Sequence, residues 1–189
     1  MKVLVLAVVM IMSSCGIQYR FSKASDYETD SSFIYALPYP KGSSHLLLQG
    51  YKSLLSHRNR MSLDFKMKSG AVITAARSGV VVRVVEEFSK GGVSKQYVGK
   101  ANQVVIRHID GSNAYYGHLK QNGSLVQVGD TVVTGQPIAI VGTTGFSALP
   151  HLHFTVWGPT PTGRSQLPTR FKTKRGVEYL KPGRWYRAL

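Results

Sequence analysis

Short apolar runs separated by turn residues fill the chain from about residue 33 to its end. Several of these runs are rich in β-branched residues, which favours strands over helices. The segment from Ser44 to Leu55 has room for a turn or two of helix at most. Many strands at short spacing predict one all-β domain over residues 33–189, an antiparallel sandwich or barrel-like sheet with few or no long helices.

Turn dipeptides between the runs predict where strands reverse direction. The stretch "AVITAARSGVVVRVVEE" has Ser78-Gly79 between two β-branched runs, and "NQVVIRHIDGSNAYYGHL" has Asp110-Gly111 in the same place. Both arrangements are typical of β-hairpins. The C-terminal stretch "FKTKRGVEYLKPGRWYRAL" predicts one more hairpin with aromatic packing.

The N-terminus differs from this pattern and indicates export. Lys2 is followed by ten apolar residues, Val3 to Met12, a run too short to cross a bilayer but suited to the hydrophobic part of a secretory signal. A buried N-terminal strand or helix is the alternative interpretation. Residues 16–32 are polar without a clear period, and we expect them to form a flexible tether to the folded domain.

Cys15 is the only cysteine of the chain. The stretch Met12-Ser13-Ser14-Cys15-Gly16 resembles a bacterial lipobox, in which the cysteine receives a lipid and becomes the new N-terminus. Residues 1–15 would then be a lipoprotein-type signal, and Cys15 would anchor the protein in a membrane. The absence of aspartate after Cys15 favours the outer membrane, facing the periplasm, where the cell has two membranes.

The formal net charge of +15 requires an anionic partner or surface. Nucleic acid is one such partner, but the basic residues are scattered and no nucleic-acid-binding motif is present, so nucleic acid is set aside. An anionic polymer of the cell envelope, or acidic lipid headgroups, explain the charge together with the export signal.

Five polar residues are the candidates for chemistry. In "HLHF", His151 and His153 are two residues apart, so a β-strand would place both side chains on one face. His118 ends the run "YYGHL", and "SHRNRMSLDF" supplies His57 and Asp64, seven residues apart. An aspartate between Leu63 and Phe65 is costly to bury unless it is paired or bound to a metal. An ion pair of Asp64 with Arg58 or Arg60 is the structural alternative.

Two imidazoles and one carboxylate make the ligand set of a catalytic zinc site, which keeps one coordination position open for water. The remaining imidazoles could act as a general base and as a donor to an oxyanion.

These motifs, in this order, resemble the LytM/lysostaphin-type metallopeptidases of family M23, over about residues 38–185. The resemblance implies that His57, Asp64 and His153 bind Zn²⁺, that His151 is the general base for the attacking water, and that His118 stabilises the oxyanion. One departure concerns the first motif, because the family's commonest spacing of histidine and aspartate is four residues rather than seven.

The function implied by the resemblance is a zinc endopeptidase that cleaves stem peptides or cross-bridges of peptidoglycan, with the bond left open. The alternative is an inactive relative that binds peptidoglycan or activates other wall hydrolases. A regulatory protein partner is also compatible with this assignment.

The remaining histidines and exposed aromatic candidates are assigned no catalytic role. His108 is expected at the surface or behind the site, and His45 at the surface. Trp157, Tyr115 and Tyr116 are expected mainly in the core, with stacking on a substrate peptide as the alternative.

Overall fold

The computed structural model describes residues 34–54, 56–160 and 163–189. Over these residues the protein is built almost entirely of β-strands, and the single helical element among them is a 3₁₀ turn at Lys95–Tyr97. The predicted all-β class is confirmed. The predicted signal, tether and lipidated Cys15 lie outside the described residues. Among the residues described, no helix is long and apolar enough to span a bilayer.

The strands follow one another along the chain with short connections. In chain order they are β1 (Ile34–Tyr35), β2 (Ser44–Gln49), β3 (Ser62–Lys66), β4 (Val72–Thr74), β5 (Gly79–Val85), β6 (Gly91–Gly92), β7 (Gln103–Arg107), β8 (Asn113–Gly117), β9 (Leu119–Ser124), β10 (Thr131–Val132), β11 (Pro137–Val141), β12 (Gly145–Phe146), β13 (His151–Thr160), β14 (Gly163–Leu167), β15 (Arg170–Thr173), β16 (Gly176–Glu178) and β17 (Trp185–Arg187).

A nine-stranded antiparallel sheet forms the centre of the structure. Its order is β10-β5-β7-β8-β13-β3-β2-β17, and β14 also pairs with β13. Three smaller sheets are β1-β15-β16, β4-β11-β9 and β12-β6. Two of the pairs, β1 with β15 and β12 with β6, are parallel, which the hairpin pattern did not predict.

Strand β13 lies between β3 and β8, and its pairing fixes what stands beside each histidine. His153 is opposite Asp64 on β3 and opposite Gly117 on β8. Because side chains alternate along a strand, His151 and His153 share one face of the sheet, while Leu152 and Phe154 point to the other.

The opposite face of β13 packs into an aromatic core. The ring of Phe154 lies 5.3 Å from that of Tyr116, 6.0 Å from Tyr35 and 5.8 Å from Phe171, all in edge-to-face contacts. All four side chains are at most 1% exposed. Tyr35 and Phe171 belong to β1 and β15, so the β1-β15-β16 sheet covers this face of the central sheet.

The chain passes from the central sheet to the β4-β11-β9 sheet at His118. This residue separates β8 from β9 and has a positive φ of 63°, a left-handed conformation that is uncommon for residues other than glycine. The His118 carbonyl accepts a hydrogen bond from the Gly142 amide at 3.0 Å, which attaches the corner to the end of β11.

One predicted hairpin is wrong and another is confirmed. The Ser78-Gly79 segment is not a hairpin, because β4 pairs with β11 while β5 pairs with β7 and β10. The segment from Ser44, where at most a turn or two of helix was expected, begins with strand β2. The Asp110-Gly111 hairpin is confirmed by the pairing of β7 with β8.

The hairpin predicted for the C-terminal stretch is confirmed in the first half of that stretch. Strands β15 and β16 form a hairpin, whereas β17 crosses to the edge of the central sheet and pairs with β2. The predicted aromatic packing is present, since Phe171 lies against Phe154 and Tyr186 is buried.

Removal of the Phe154 ring tests how much the back face contributes to stability. We expect Phe154→Ala to lower the free energy of unfolding by about 3–5 kcal/mol, because the cavity lies among fully buried rings. Trp157→Ala, on the same strand but with the side chain 41% exposed, is the control and should cost clearly less. Urea unfolding of both variants in EDTA measures the difference, and equal losses would contradict this view of the core.

Candidate active site

Five polar side chains from four parts of the chain meet on one face of the central sheet. Asp64 stands on β3, His151 and His153 on β13, His118 at the end of β8, and His57 in the loop between β2 and β3. All five are the residues selected from the sequence. The structure brings them together although up to 96 positions separate them along the chain.

Asp64 is the centre of this group and is 4% exposed. Its Oδ1 lies 2.8 Å from His153 Nδ1 and 3.7 Å from His151 Nε2, and its Oδ2 lies 3.3 Å from His57 Nε2. Gln49 Nε2 donates a hydrogen bond of 2.7 Å to Oδ2. The carboxylate is therefore partnered by histidines and an amide, and not by the arginines that formed the structural alternative.

Three of the histidines are oriented by backbone carbonyls. The Nδ1 atoms lie 3.2 Å from the Gly50 carbonyl for His57, 2.7 Å from that of Thr144 for His118, and 2.8 Å from that of Leu149 for His151. A carbonyl oxygen only accepts, so each Nδ1 carries the proton and donates it. In the neutral ring each Nε2 then has a free lone pair, the form in which imidazole binds metals or accepts protons.

Lone pairs facing a carboxylate indicate a site for a cation. His57 Nε2 and Asp64 Oδ2 are both acceptors in this arrangement, as are His151 Nε2 and Asp64 Oδ1. Such pairs repel each other unless a proton or a metal ion lies between them. The residues present therefore fit a metal ion without further rearrangement of the backbone.

Two overlapping triads have donor atoms close enough to share one ion. They are His57, Asp64 and His153, and His118, His151 and His153, with all donor atoms of a triad within 4.8 Å of one another. The first triad contains the carboxylate and is the more deeply buried of the two. A negatively charged ligand offsets part of the charge of a divalent ion in a low-dielectric site, which favours the first triad.

Burial and mutual contacts perturb the acid–base properties of the group. Burial raises the pKa of Asp64, but the hydrogen bond from His153 and the proximity of the His57 imidazole outweigh it and hold this pKa well below its usual range. Burial lowers the pKa of His153. Burial, together with the neighbouring His151 and His153, lowers the pKa of His118 to about 4. His118 is therefore uncharged at neutral pH.

The segment between β11 and β13 holds both histidines outside the first triad. Its Thr144 and Leu149 carbonyls accept from His118 and His151. Thr144 is held in turn, because its Oγ1 accepts from the Asn102 amide at 3.0 Å and donates to the Leu119 carbonyl at 2.7 Å. Backbone acceptors leave no motif in a sequence, so these two supports could not be identified from it.

Of the aromatic candidates, Tyr115 lies nearest the site. Its ring centroid is 5.9 Å from that of His153, and burial raises the pKa of its hydroxyl. A Cβ atom on Gly117 would overlap the Tyr115 ring, so glycine is required there for the ring to lie flat along the strand. Tyr116 belongs to the core as expected, and Trp157 is partly exposed.

The other two histidines lie outside the site. The surface position expected for His108 is wrong, because its side chain is buried against Tyr35 and its Nδ1 donates to the Ser78 carbonyl. His45 is half-buried against Tyr39 rather than fully exposed.

Residues 58–166, more than half of the chain, match the sequence profile of peptidase family M23. The matched range includes Asp64, His118, His151 and His153, and it begins one residue after His57.

Curated relatives resemble this chain over its central part. A metalloprotease of Haemophilus influenzae, named as uncharacterized, is 34% identical over 97 residues, 51% of this chain and 18% of the relative. Lysostaphin of Staphylococcus simulans is 38% identical over 93 residues, covering 49% and 17%. The DD-carboxypeptidase/endopeptidase Mpg of Neisseria meningitidis is 31% identical over 118 residues, covering 62% and 24%. The matches span less than a quarter of the length of each relative.

Among solved structures, a zinc-containing peptidase from Vibrio cholerae shares the fold. The two superpose with a TM-score of 0.51 at 25% sequence identity, over 71% of this chain and 40% of the other.

The low pKa of His118 predicts how stability depends on pH. An unfolded histidine titrates near 6.5 and the folded His118 near 4, so the unfolded chain takes up this proton first as the pH falls. The free energy of unfolding of metal-free protein should therefore decrease from about pH 6.5 towards pH 4, and this group should have no effect above that window.

Urea unfolding in EDTA across this range measures the dependence. His118→Asn is the matched control, because asparagine tolerates the left-handed backbone but does not titrate. Its pH dependence should be shallower than that of the wild type, with the remainder coming from His153, His45 and His108, whose pKa values burial also lowers. If the free energy of unfolding depended on pH equally in the wild type and in His118→Asn, His118 would not be the source of the dependence.

Proposed function

Because the chain belongs to peptidase family M23, we propose that it is a zinc-dependent endopeptidase that hydrolyses amide bonds in the peptides of peptidoglycan. The observation that supports this most directly is the convergence of His57, Asp64 and His153, with His118 and His151 beside them. A protein that only binds the cell wall has no need of this complete set, which argues against the inactive alternative.

Zinc is the ion that this donor set suits best. Two imidazoles and one carboxylate leave a coordination position open, as in catalytic zinc sites. When bound there, zinc would lower the pKa of a coordinated water to about 7 and polarise the carbonyl group of the substrate. The similar fold of the zinc-containing Vibrio cholerae peptidase supports the choice of zinc.

His151 would act as the general base. Its Nδ1 proton is held by the Leu149 carbonyl, so Nε2 is free to accept a proton from the attacking water. Nε2 already faces the Asp64 carboxylate at 3.7 Å, and a negative charge at that distance stabilises the imidazolium formed by proton transfer. The same nitrogen would then return the proton to the leaving amine.

His118 would stabilise the oxyanion on the other side of the site. Its Nδ1–H is held by the Thr144 carbonyl, and its pKa of about 4 keeps the ring neutral at rest. A developing negative charge beside Nε2 raises its affinity for a proton, so His118 would take up a proton from solvent at Nε2 and donate it in a hydrogen bond to the oxyanion. Its ring lies 4.7 Å from that of His151, and the negative charge of the oxyanion would offset the repulsion between the two charged rings.

The proposed substrate also agrees with the charge of the chain. Peptidoglycan stem peptides carry carboxylates, and a net charge of +15 favours association with an anionic polymer. The Haemophilus influenzae relative is named as a metalloprotease and Mpg as an endopeptidase, and we extend that activity class to this chain as part of the proposal. With an anchored, two-membrane location, direct cross-links between stem peptides are the favoured bonds.

Substitution of single site residues separates metal ligands from proton-transfer residues. We expect His57→Ala, Asp64→Asn and His153→Ala to lose both bound zinc and the release of muropeptides from purified peptidoglycan. His118→Ala and His151→Ala should keep about one zinc per chain but lose activity by about 10²-fold or more. Mass spectrometry of the metal and chromatography of the digest give the two readouts, and the digest also identifies the bond.

His45→Ala is the control, since it removes a half-buried imidazole outside the site. It should behave as the wild type. Loss of zinc in His118→Ala and His151→Ala, with zinc retained in His57→Ala, would place the metal in the second triad. A wild type without zinc or activity would overturn the proposal in favour of a binding protein.

We further propose that Cys15 carries a lipid that holds the enzyme at the outer membrane, facing the periplasm. The proposal rests on the lipobox-like residues 12–16 and the apolar run before them. Cells fed a radiolabelled fatty acid should label the wild-type chain and not Cys15→Ser, and the labelled protein should fractionate with outer membranes. Equal labelling of both proteins, or none of either, would contradict lipidation at Cys15.

A further inference from the structure

The side chain of Gln49 binds one proposed metal ligand, Asp64, and also the residue before another, His57. It is the last residue of β2 and is paired in register with Asp64 on β3, so the amide begins beside the carboxylate. Its Nε2 donates to Asp64 Oδ2 at 2.7 Å and to Ser56 Oγ at 2.9 Å. Its Oε1 accepts from the Ser56 backbone amide at 3.1 Å. Ser56 immediately precedes His57.

These contacts determine which carboxylate oxygen faces which neighbour. Oδ2 receives the amide hydrogen of Gln49, and Oδ1 is directed towards His153 and His151. Rotation of the carboxylate about its Cβ–Cγ bond would break the short bond to Gln49. A buried carboxylate held by a donor keeps one orientation, which is the role of groups that hydrogen-bond to metal ligands.

The same amide also closes the loop that supplies His57. Residues 50–57 leave β2 and return towards β3, and seven positions separate His57 from Asp64. Ser56 is bound to Gln49 at both its amide and its hydroxyl, and His57 Nδ1 donates to the Gly50 carbonyl. These bonds hold the residues before His57 against the end of β2. In this position His57 Nε2 lies 3.3 Å from Asp64 Oδ2.

We propose that Gln49 is a positioning residue for the metal site, which orients the Asp64 carboxylate and fixes the His57 loop against it. A shorter spacing between histidine and aspartate would by itself keep the two side chains close together. In this chain, where seven positions separate them, the hydrogen bonds of Gln49 keep His57 close to Asp64. The inference rests on the proposed zinc site, but it concerns a residue that does not itself bind the metal.

Replacement of the amide by an apolar side chain of similar size tests the proposal. In the full-length protein, Gln49→Met should lower the affinity for Zn²⁺ by about 10–100-fold, the usual effect of losing a partner of a metal ligand. Competition with a chromophoric chelator at fixed pH measures this affinity. Asp64 loses a donor in this variant, so its unfolding midpoint in EDTA should fall, but the variant should remain folded at the temperature of the binding assay. Weaker binding by a folded variant distinguishes positioning of the ligands from loss of the fold.

Gln166→Met is the matched control. Gln166 also accepts a hydrogen bond from a backbone amide near β3, that of Met61 at 2.8 Å, but it contacts none of the proposed ligands. The Gln166→Met variant should bind Zn²⁺ with the same affinity as the wild type. Gln49→Asn is a second variant, since its side chain is one methylene shorter and cannot span Asp64 and Ser56 together. It should also bind Zn²⁺ more weakly than the wild type.

The outcomes separate this inference from the function on which it rests. Wild-type affinity in Gln49→Met, or in Gln49→Asn if Gln49→Met does not fold, would overturn the role of Gln49 and leave the peptidase intact. Equal weakening in Gln166→Met would also overturn it, because the effect would not depend on ligand contact. A wild type that binds no zinc would overturn both proposals.

Discussion

A buried carboxylate surrounded by imidazoles is the interaction on which the rest of the site depends. Removing an unpaired carboxylate from water costs several kcal/mol, so Asp64 at 4% exposure must be compensated. Gln49 and His153 donate to it, but His57 and His151 turn lone pairs towards it because their Nδ1 protons are engaged by backbone carbonyls. The protein thus builds a negative centre with more acceptors than donors, an arrangement that a cation would stabilise.

The two-residue period of β-strands links this centre to the hydrophobic core. On β13 the imidazoles of His151 and His153 alternate with Leu152 and Phe154, and on β3 Asp64 stands between the buried Leu63 and Phe65. A shift of one residue in the β3–β13 register would exchange the two faces, burying imidazoles in the aromatic core and exposing rings to water. The packing that stabilises the fold therefore also fixes which atoms face one another in the site.

The sequence contained the functional side chains but not their supports. Strand alternation places both histidines of "HLHF" on one face, and an aspartate between Leu63 and Phe65 indicates a paired carboxylate, so these three site residues carry a local signal. The roles expected for His57 and His118 rested on the family resemblance. The partner of β4, by contrast, is β11 rather than the adjacent β5, because the pairing is decided by long-range packing that a turn dipeptide does not record. The carbonyls of Thr144 and Leu149 also carry no side-chain signal, and His108 was misplaced because a histidine at a predicted turn resembles a surface residue.

The site constrains where the His57 Nε2 lone pair lies more tightly than it constrains the number of residues between His57 and Asp64. A loop of eight residues costs little more to close than one of five, since the closure entropy grows only with the logarithm of length. Its precision must then come from contacts at its ends. Asp64 is fixed within β3, and at the other end His57 donates to the Gly50 carbonyl while Ser56 is held by Gln49. His118 follows the same logic, because its uncommon backbone conformation persists where Gly142 and Thr144 bind it from the neighbouring segment. Regular strands thus carry Asp64, His151 and His153, whereas His57 and His118 stand on irregular backbone. Backbone carbonyls outside the strands hold the imidazoles of His57, His118 and His151.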